Sequence, residues 1–186
     1  NVAEEKAVEG FFDQAVSDFG TVDFLINNAG ITRDGLIARS KDGEIKKMSL
    51  ANWQAVIDVN LTGSFLCGRE FFVKLLEQKK SGVCINISSL SRSGNMGQSN
   101  YTATKAGVAE MTVTWAKEMA RHGIRVAAIA PGYINTEMTS AIREDVKQKI
   151  IDQIPLKRMG EPNEISHSVF YLSLIHISEP TRPSQI

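Results

Sequence analysis

The sequence predicts an α/β fold in which a doubly wound parallel β-sheet is covered by helices on both faces. Three short apolar segments have the length and composition of buried strands, at residues 22–26, 82–88 and 124–130. Helical patterns of hydrophobic residues alternate with these segments, which is typical of βαβ units. The length of 186 residues is enough for one domain with a real core.

The predicted helices have recognisable starts and stops. Gly20 is a plausible C-cap of the first helix, and Ser49 is a candidate N-cap of a long second helix. Gly123 ends a third helix, and Pro162 suits the first position of the last one. The predicted helices are residues 8–20, 49–76, 100–122, 139–154 and the segment from 162 onward.

Composition excludes several classes of protein. The chain has 21 basic and 21 acidic residues, and a net charge of zero argues against a dedicated nucleic-acid partner. No apolar run approaches 18 residues and no signal-like segment opens the chain, so we expect a cytoplasmic protein without a membrane partner. Cys67 and Cys84 lack metal-ligand spacing, so we expect reduced cysteines and no metal site.

Small and polar residues follow each predicted strand. These segments are Asn27–Gly30, Ser88–Ser91 and Pro131–Thr136. The carboxyl ends of parallel strands meet at one edge of a sheet, and ligands bind there. The three segments therefore predict a ligand site at that edge.

Tyr101 and Lys105 are candidates for acid–base chemistry at this site. Residues four apart lie on the same face of a helix, and a neighbouring positive charge lowers the pKa of a tyrosine towards the useful range. Asn60 falls within the apolar stripe of the long helix, where a side-chain amide needs a partner. It either ties down a neighbouring backbone segment or belongs to the site.

Together these motifs resemble the short-chain dehydrogenase/reductase family. The matching residues, in family order, are Asn27-Asn28-Ala29-Gly30, Asn60 within Asp58–Gly63, Ser88, Tyr101-x-x-x-Lys105 and Pro131-Gly132. Residues 27–34 and 97–101 are most similar to 3-oxoacyl-acyl-carrier-protein reductases. The resemblance implies a Rossmann-like fold, with residues 1–172 as a partial NAD(P)-binding domain.

The resemblance also implies a role for each catalytic candidate. Tyr101 would be the general acid/base and would protonate the carbonyl oxygen as hydride reaches carbon. Lys105 would lower the pKa of Tyr101 and bind the nicotinamide ribose, and Asn60 would support a water that links Lys105 to solvent. Ser88 would hold the substrate oxygen. Ser89 is its competitor, but the thirteen-residue step to Tyr101 favours Ser88.

A nicotinamide cofactor follows from the same resemblance, NADP(H) or alternatively NAD(H). The substrate would be a carbonyl compound or secondary alcohol, including a 3-oxoacyl thioester on a carrier protein, and the enzyme would be a homotetramer or homodimer. The implied cofactor-binding residues are Asn1, Val2, Asn28, Ala29, Gly30, Tyr101, Lys105, Pro131, Gly132, Ile134 and Thr136.

Three features depart from the family pattern. The glycine-rich phosphate-binding turn is absent, so the chain resembles a fragment lacking roughly the first two strands and first helix, with the last strand also missing. Residues 40–49 form a longer segment than expected, and His122 stands where a basic residue is common. Sugar or polyol dehydrogenases, a nucleotide-binding pseudoenzyme and an inactive fragment therefore remain alternatives. Residues 173–186 match no family segment, and we expect them to be irregular.

Overall fold

The computed structural model describes residues 1–140 and 142–178, which form two units, residues 1–130 and the chain from Pro131 onward. The elements in chain order are α1 (Glu5–Phe19), β1 (Phe24–Asn27), β2 (Ala38–Lys41), β3 (Glu44–Lys47), α2 (Leu50–Ile57), α3 (Gly63–Gln78), β4 (Gly82–Ile87), α4 (Ser99–Met119), β5 (Ile124–Ile129), α5 (Glu137–Ser140), α6 (Glu144–Gln153) and α7 (Pro162–Ser178). None of the helices in these ranges is both long and apolar enough to cross a bilayer.

A three-stranded parallel sheet forms the centre of the first unit, in the order β1-β4-β5. The predicted α/β class with a parallel sheet and flanking helices is confirmed. Asn27 pairs with Asn86 and Ile87 pairs with Ile129, so the strands end at nearly the same level. This register brings the segments that follow β1 and β4 to one edge of the sheet.

Helices α1, α3 and α4 supply most of the apolar core beside this sheet. Trp115 of α4 packs edge-on against Phe72 of α3, with ring centroids 5.4 Å apart. Gly68 allows this approach, because a Cβ at that position would lie 2.6 Å from the Trp115 ring. The buried members of the cluster are Val8, Phe12, Leu66, Phe71, Phe72, Leu75, Cys84, Trp115 and Ile124.

The predicted long helix from Ser49 is present but is interrupted by a wider turn. Ser49 caps α2 by accepting a hydrogen bond from the Asn52 amide at 3.1 Å, as expected. Residues Asp58–Thr62 then form a π-helical turn that joins α2 to α3. Such turns are frequent at functional sites. Asn60 lies within this one and is fully buried.

Residues 38–47 form an antiparallel hairpin of β2 and β3 that the sequence did not predict as strands. The predicted turn is present, with positive φ at Asp42 and Gly43 as a tight hairpin turn requires. All eight strand residues are exposed, so the segment lacks the apolar alternation that identifies a half-buried strand.

The second unit corrects two expectations. A continuous helix over 139–154 is wrong, because α5 ends at Ser140 and α6 begins at Glu144. Helix α7 begins at Pro162 as predicted, but it continues to Ser178, so residues 173–178 are helical rather than irregular. The rest of the predicted irregular tail, 179–186, lies outside the described residues.

Candidate active site

Asn60 anchors the segment that follows β1. Its Oδ1 accepts a hydrogen bond from the Ile31 amide at 2.8 Å, and its Nδ2 donates to the Ile31 carbonyl at 2.9 Å. The side chain therefore ties down a neighbouring backbone segment, one of the two roles that its position in the apolar stripe left open. Gly30 lies against the same group, since a Cβ there would be 3.5 Å from Asn60 Oδ1 and 3.7 Å from Lys105 Nζ.

Lys105 projects from α4 into this strand-end region and is only 5% exposed. Its Nζ donates to the Ile87 carbonyl, the last of β4, at 2.7 Å. Burial disfavours the charged ammonium and lowers the pKa of Lys105 to about 8. The structure thus holds a poorly solvated amine at the carboxyl end of the central strand.

Tyr101 lies one helical turn before Lys105, with the Lys105 Nζ 5.6 Å from its ring centroid. Burial is the largest influence on its phenol and raises the pKa of Tyr101, and the Asp34 carboxylate raises it further. A hydrogen bond with the Ser89 side chain acts in the opposite direction. The net shift is upward because burial outweighs the hydrogen bond with Ser89, and the lowering of this pKa by Lys105 stays a prediction.

The two serines after β4 face different partners. Ser88 is 2% exposed, and its hydroxyl donates to the Lys105 carbonyl at 2.7 Å within the helix backbone. Ser89 instead hydrogen-bonds to the Tyr101 side chain and accepts from the Ser91 amide at 3.1 Å. The structure therefore brings Ser89 to the Tyr101 hydroxyl, whereas Ser88, the residue predicted from spacing, is used to secure α4.

Strand periodicity could not separate these serines from the sequence alone, because β4 is buried on both faces. Alternate residues of a strand share a face, and the buried Cys84 and Asn86 lie on the face to which Ser88 belongs. The Ser88 amide donates to the Ile129 carbonyl at 2.7 Å, so the sheet pattern continues through Ser88 and its side chain points into the interior. Ser89 is the first residue beyond this pattern.

A chain of buried polar side chains beneath the site was missed by sequence reasoning. Asn27 donates to Asn86 Oδ1 at 2.8 Å, and Asn86 donates to Thr112 Oγ1 at 2.8 Å. Thr112 completes the chain by donating to the Val108 carbonyl at 2.7 Å. These bonds link β1, β4 and α4. An asparagine in the middle of an otherwise apolar strand was the available signal.

Asn100 fixes the start of the helix that carries Tyr101. It is fully buried, and its Nδ2 donates to the carbonyls of Arg33 at 3.0 Å and Asn52 at 3.2 Å. Its Oδ1 accepts from the Tyr101 amide at 2.8 Å. One side chain thus joins the segment after β1, helix α2 and the first turn of α4.

Of the two predicted cofactor residues at the start of the chain, Val2 lies beside α3 and Asn1 contacts Glu4. A Cβ on Gly63 would be 2.8 Å from Val2 Cγ2, so Val2 packs on the first residue of that helix. Asn1 donates to Glu4 at 2.6 Å.

Two further cofactor candidates lie in the second unit, where Thr139 Oγ1 donates to the carbonyls of Ile134 at 2.8 Å and Thr136 at 2.9 Å. The remaining candidates there are Pro131 and Gly132.

Comparison with known proteins gives a consistent family. The sequence model described as Enoyl-(Acyl carrier protein) reductase matches residues 1–175. The 3-oxoacyl-[acyl-carrier-protein] reductase FabG of Staphylococcus epidermidis is 45% identical over 174 residues, which is 93% of this chain and 68% of that protein. The FabG proteins of Staphylococcus aureus and Thermotoga maritima are 44% and 40% identical, each over 93% of this chain and 67% of their own length.

The chain belongs to the short-chain dehydrogenase/reductase family. It is therefore an NAD(P)-dependent oxidoreductase, and the resemblance drawn from its motifs is confirmed. The match extends to residue 175 and so includes three residues of the segment for which we found no family counterpart.

Proposed function

We propose that this short-chain dehydrogenase/reductase reduces the 3-oxo group of an acyl thioester bound to a carrier protein, with NADPH as hydride donor. The observation that carries the proposal is the grouping of a tyrosine hydroxyl, the Ser89 hydroxyl and the Lys105 ammonium at the strand ends. The names of relatives that are 40–45% identical over 93% of the chain support the substrate class.

Tyr101 is the proton donor in this proposal. A bound nicotinamide supplies the hydride, which no side chain can provide. Burial keeps the pKa of Tyr101 above its ordinary value of 10, so the phenol holds its proton at neutral pH and can donate it to the carbonyl oxygen. Ser89 donates a second hydrogen bond to that oxygen, where negative charge develops. We assign this role to Ser89 instead of Ser88 because Ser89 is the serine bonded to Tyr101.

Lys105 and Asn60 complete the group. An ammonium has three N–H donors, and the Ile87 carbonyl uses one of them, which leaves donors suited to the paired hydroxyls of a ribose. Asn60 holds the Ile31 backbone so that Gly30 stays beside the Lys105 ammonium. The main-chain carbonyl of Asn60, which accepts from Ser64 Oγ at 2.8 Å, is the proposed support for a water that links Lys105 to solvent.

The cofactor would extend from this point along the strand ends. Its nicotinamide ribose would lie at Tyr101 and Lys105. The residues proposed to hold the rest of the cofactor are those implied by family resemblance, namely Asn1, Val2, Asn28, Ala29, Gly30, Pro131, Gly132, Ile134 and Thr136. Gly30 fits such a role, since the backbone there lies close to both Asn60 and Lys105 without a side chain between.

Substitution of Tyr101 by phenylalanine tests the proposal. Tyr101→Phe removes the hydroxyl but keeps the ring, so we expect reduction of a 3-oxoacyl thioester to fall by about 10²–10⁴-fold, the usual contribution of a general acid. Cofactor binding, followed by nicotinamide fluorescence, should change little. Tyr171→Phe is the matched control, because Tyr171 is an exposed tyrosine of α7. Undiminished turnover in Tyr101→Phe would contradict the assignment.

A further inference from the structure

Tyr101 lies in the first turn of α4, where main-chain N–H groups lack a partner within the helix. The residue that precedes the helix, Gln98, supplies no side-chain cap. The Tyr101 amide donates instead to Asn100 Oδ1 at 2.8 Å. The position of Tyr101 therefore depends on neighbouring side chains as well as on the regular hydrogen bonds of the helix.

Thr104 contacts the other polar group of the Tyr101 main chain. Its side chain is fully buried, and its Oγ1 donates to the Tyr101 carbonyl at 2.8 Å. Both polar groups of the Tyr101 main chain are thus bonded to buried side chains, the amide to Asn100 and the carbonyl to Thr104.

The Thr104 hydroxyl also faces the side chain that anchors the segment after β1. Asn60 Nδ2 donates to the Ile31 carbonyl at 2.9 Å and lies 3.5 Å from Thr104 Oγ1. Gly30 lies against the oxygen of the same amide group. The Thr104 hydroxyl therefore lies between the carbonyl of Tyr101 and the amide that holds the strand-end segment.

We propose that Thr104 is a positioning residue, which holds the Tyr101 main chain so that the phenol keeps one direction at the site. The direction of a side chain follows its main chain, because φ and ψ restrict the rotamers that it can adopt. Thr104 transfers no proton and acts only through Tyr101. The consequence for carbonyl reduction rests on the proposed function above, whereas the contact between the two residues does not.

A second threonine of α4 makes the same kind of bond at a place remote from Tyr101. Threonines in helices often donate to the carbonyl three or four residues earlier. Thr112 Oγ1 donates to the Val108 carbonyl at 2.7 Å and accepts from Asn86 Nδ2 at 2.8 Å. Thr104 differs in its acceptor, which is the carbonyl of Tyr101. Thr112 is therefore a matched control for the loss of a buried hydroxyl.

Two substitutions separate the hydroxyl of Thr104 from its shape. Thr104→Val removes the hydroxyl and keeps the shape, whereas Thr104→Ser keeps the hydroxyl. The probe is the NMR signal of the Tyr101 ring in the whole chain labelled with ring-¹³C tyrosine. The chain has 3 tyrosines, and Tyr101→Phe identifies the signal. We expect this signal to move in Thr104→Val and to stay near its wild-type position in Thr104→Ser. An unmoved signal in Thr104→Val would overturn the proposal, and so would an equal movement in both variants.

Thr112→Val separates positioning from stability. It leaves Asn86 Nδ2 buried without this acceptor, so we expect it to lower the melting temperature more than Thr104→Val does, where Asn60 Nδ2 keeps its shorter bond to a main-chain carbonyl. The Tyr101 signal should nevertheless stay in place in Thr112→Val. If the displacement of the signal followed the melting temperature across these variants, Thr104 would have a structural role only and the proposal would fail.

Reduction of a 3-oxoacyl thioester gives the functional readout. In Thr104→Val we expect kcat to fall by about 10- to 100-fold with little change in KM, since displacement of a catalytic group by about 1 Å can cost as much. Thr104→Ser should retain most of the wild-type kcat. A higher KM with unchanged kcat would contradict a positioning role. The NMR signal needs no turnover, so if Tyr101→Phe retains activity, the proposed function fails while the signal still decides the role of Thr104.

Discussion

Ser88 and Ser89 are adjacent in the chain, but their hydroxyl groups contact different residues. Ser88 continues the alternation of β4 and faces the interior, where its Oγ donates to the Lys105 carbonyl at 2.7 Å. Ser89 lies beyond the strand and reaches Tyr101. The two serines therefore offer a direct comparison between a hydroxyl that supports the helix and one that can meet the substrate.

Replacing each serine by alanine should distinguish an effect on kcat from an effect on stability. Ser89→Ala removes a donor to the developing oxyanion, and we expect kcat to fall by about 10²–10³-fold with little change in stability. Ser88→Ala removes a buried hydrogen bond, and we expect a loss of about 1 kcal/mol in the free energy of unfolding and a smaller loss of kcat. Steady-state kinetics and urea unfolding measure the two effects. The opposite ranking of kcat would return the substrate-facing role to Ser88.

At the residue scale, the sequence predicted the positions of Tyr101, Lys105 and Asn60 better than their environment. The four-residue spacing placed Tyr101 and Lys105 together, and the apolar stripe showed that Asn60 is buried. The direction of the Tyr101 pKa shift could not be predicted, because it depends on burial and on the neighbouring Ser89 and Asp34 side chains. Those are three-dimensional quantities with no signature in residue spacing.

At the scale of elements, the packing of α3 against α4 depends on one close contact, between Gly68 and the Trp115 ring. Gly68 has no side chain, and the Trp115 ring occupies the space that a Cβ would need, at 2.6 Å. Gly10 in α1 offers the contrast, since nothing lies within 4 Å of the place where its Cβ would stand. Both residues are inside helices, so their difference is one of packing alone.

Alanine at these two glycines should therefore have opposite effects. Gly68→Ala forces Trp115 to move and should lower the free energy of unfolding by about 1–3 kcal/mol, as overpacking does. Gly10→Ala gains helix propensity without a clash and should raise it by about 0.5–1 kcal/mol. Thermal or urea unfolding of both variants beside the wild type is sufficient. If Gly68→Ala were as stable as Gly10→Ala, the helices would not be packed as described.

Elements were predictable where burial leaves a periodic pattern. Strands β4 and β5 and helix α4 carry such patterns and were predicted within a few residues. The β2–β3 hairpin carries none, because all its strand residues are exposed and only the Asp42-Gly43 turn has a local signal. The π-helical turn at Asp58–Thr62 has the composition of an ordinary helix, so only the structure distinguishes it from one.

At the scale of the whole molecule, a polar network lies where an ordinary sheet would be apolar. Asn27, Asn86 and Thr112 connect two strands and a helix through buried hydrogen bonds. Each such group would cost about 1–3 kcal/mol if left without a partner, so the three have to be satisfied together. The parallel topology was predictable from the order of apolar segments. The polar network was not predictable, because its hydrogen bonds depend on which side chains are buried next to one another.

The buried lysine gives the whole chain a stability that depends on pH. The pKa of Lys105 is lowered from 10.5 to about 8 by burial, so the folded state loses this proton more readily than the unfolded state. Below pH 8 the ammonium is charged in both states, and the cost of burying it is present in full. Between about pH 8 and 10.5 the unfolded state binds more protons, and this cost is relieved as pH rises.

Comparison with Lys105→Met should reveal this dependence, since methionine is similar in shape and does not titrate. From pH 8 to 10.5, the free energy of unfolding of the wild type should rise relative to that of the variant, by about 3 kcal/mol at most. The pKa values of Cys67 and Cys84, both raised by burial, act in the opposite direction in both proteins and cancel in the difference. Both proteins should carry Tyr101→Phe, because the phenol lies beside Lys105 and its titration would change with the lysine. Urea unfolding at a series of pH values gives this difference directly. A difference that is constant from pH 7 to 10.5 would show that Lys105 is as well solvated in the folded chain as in the unfolded one.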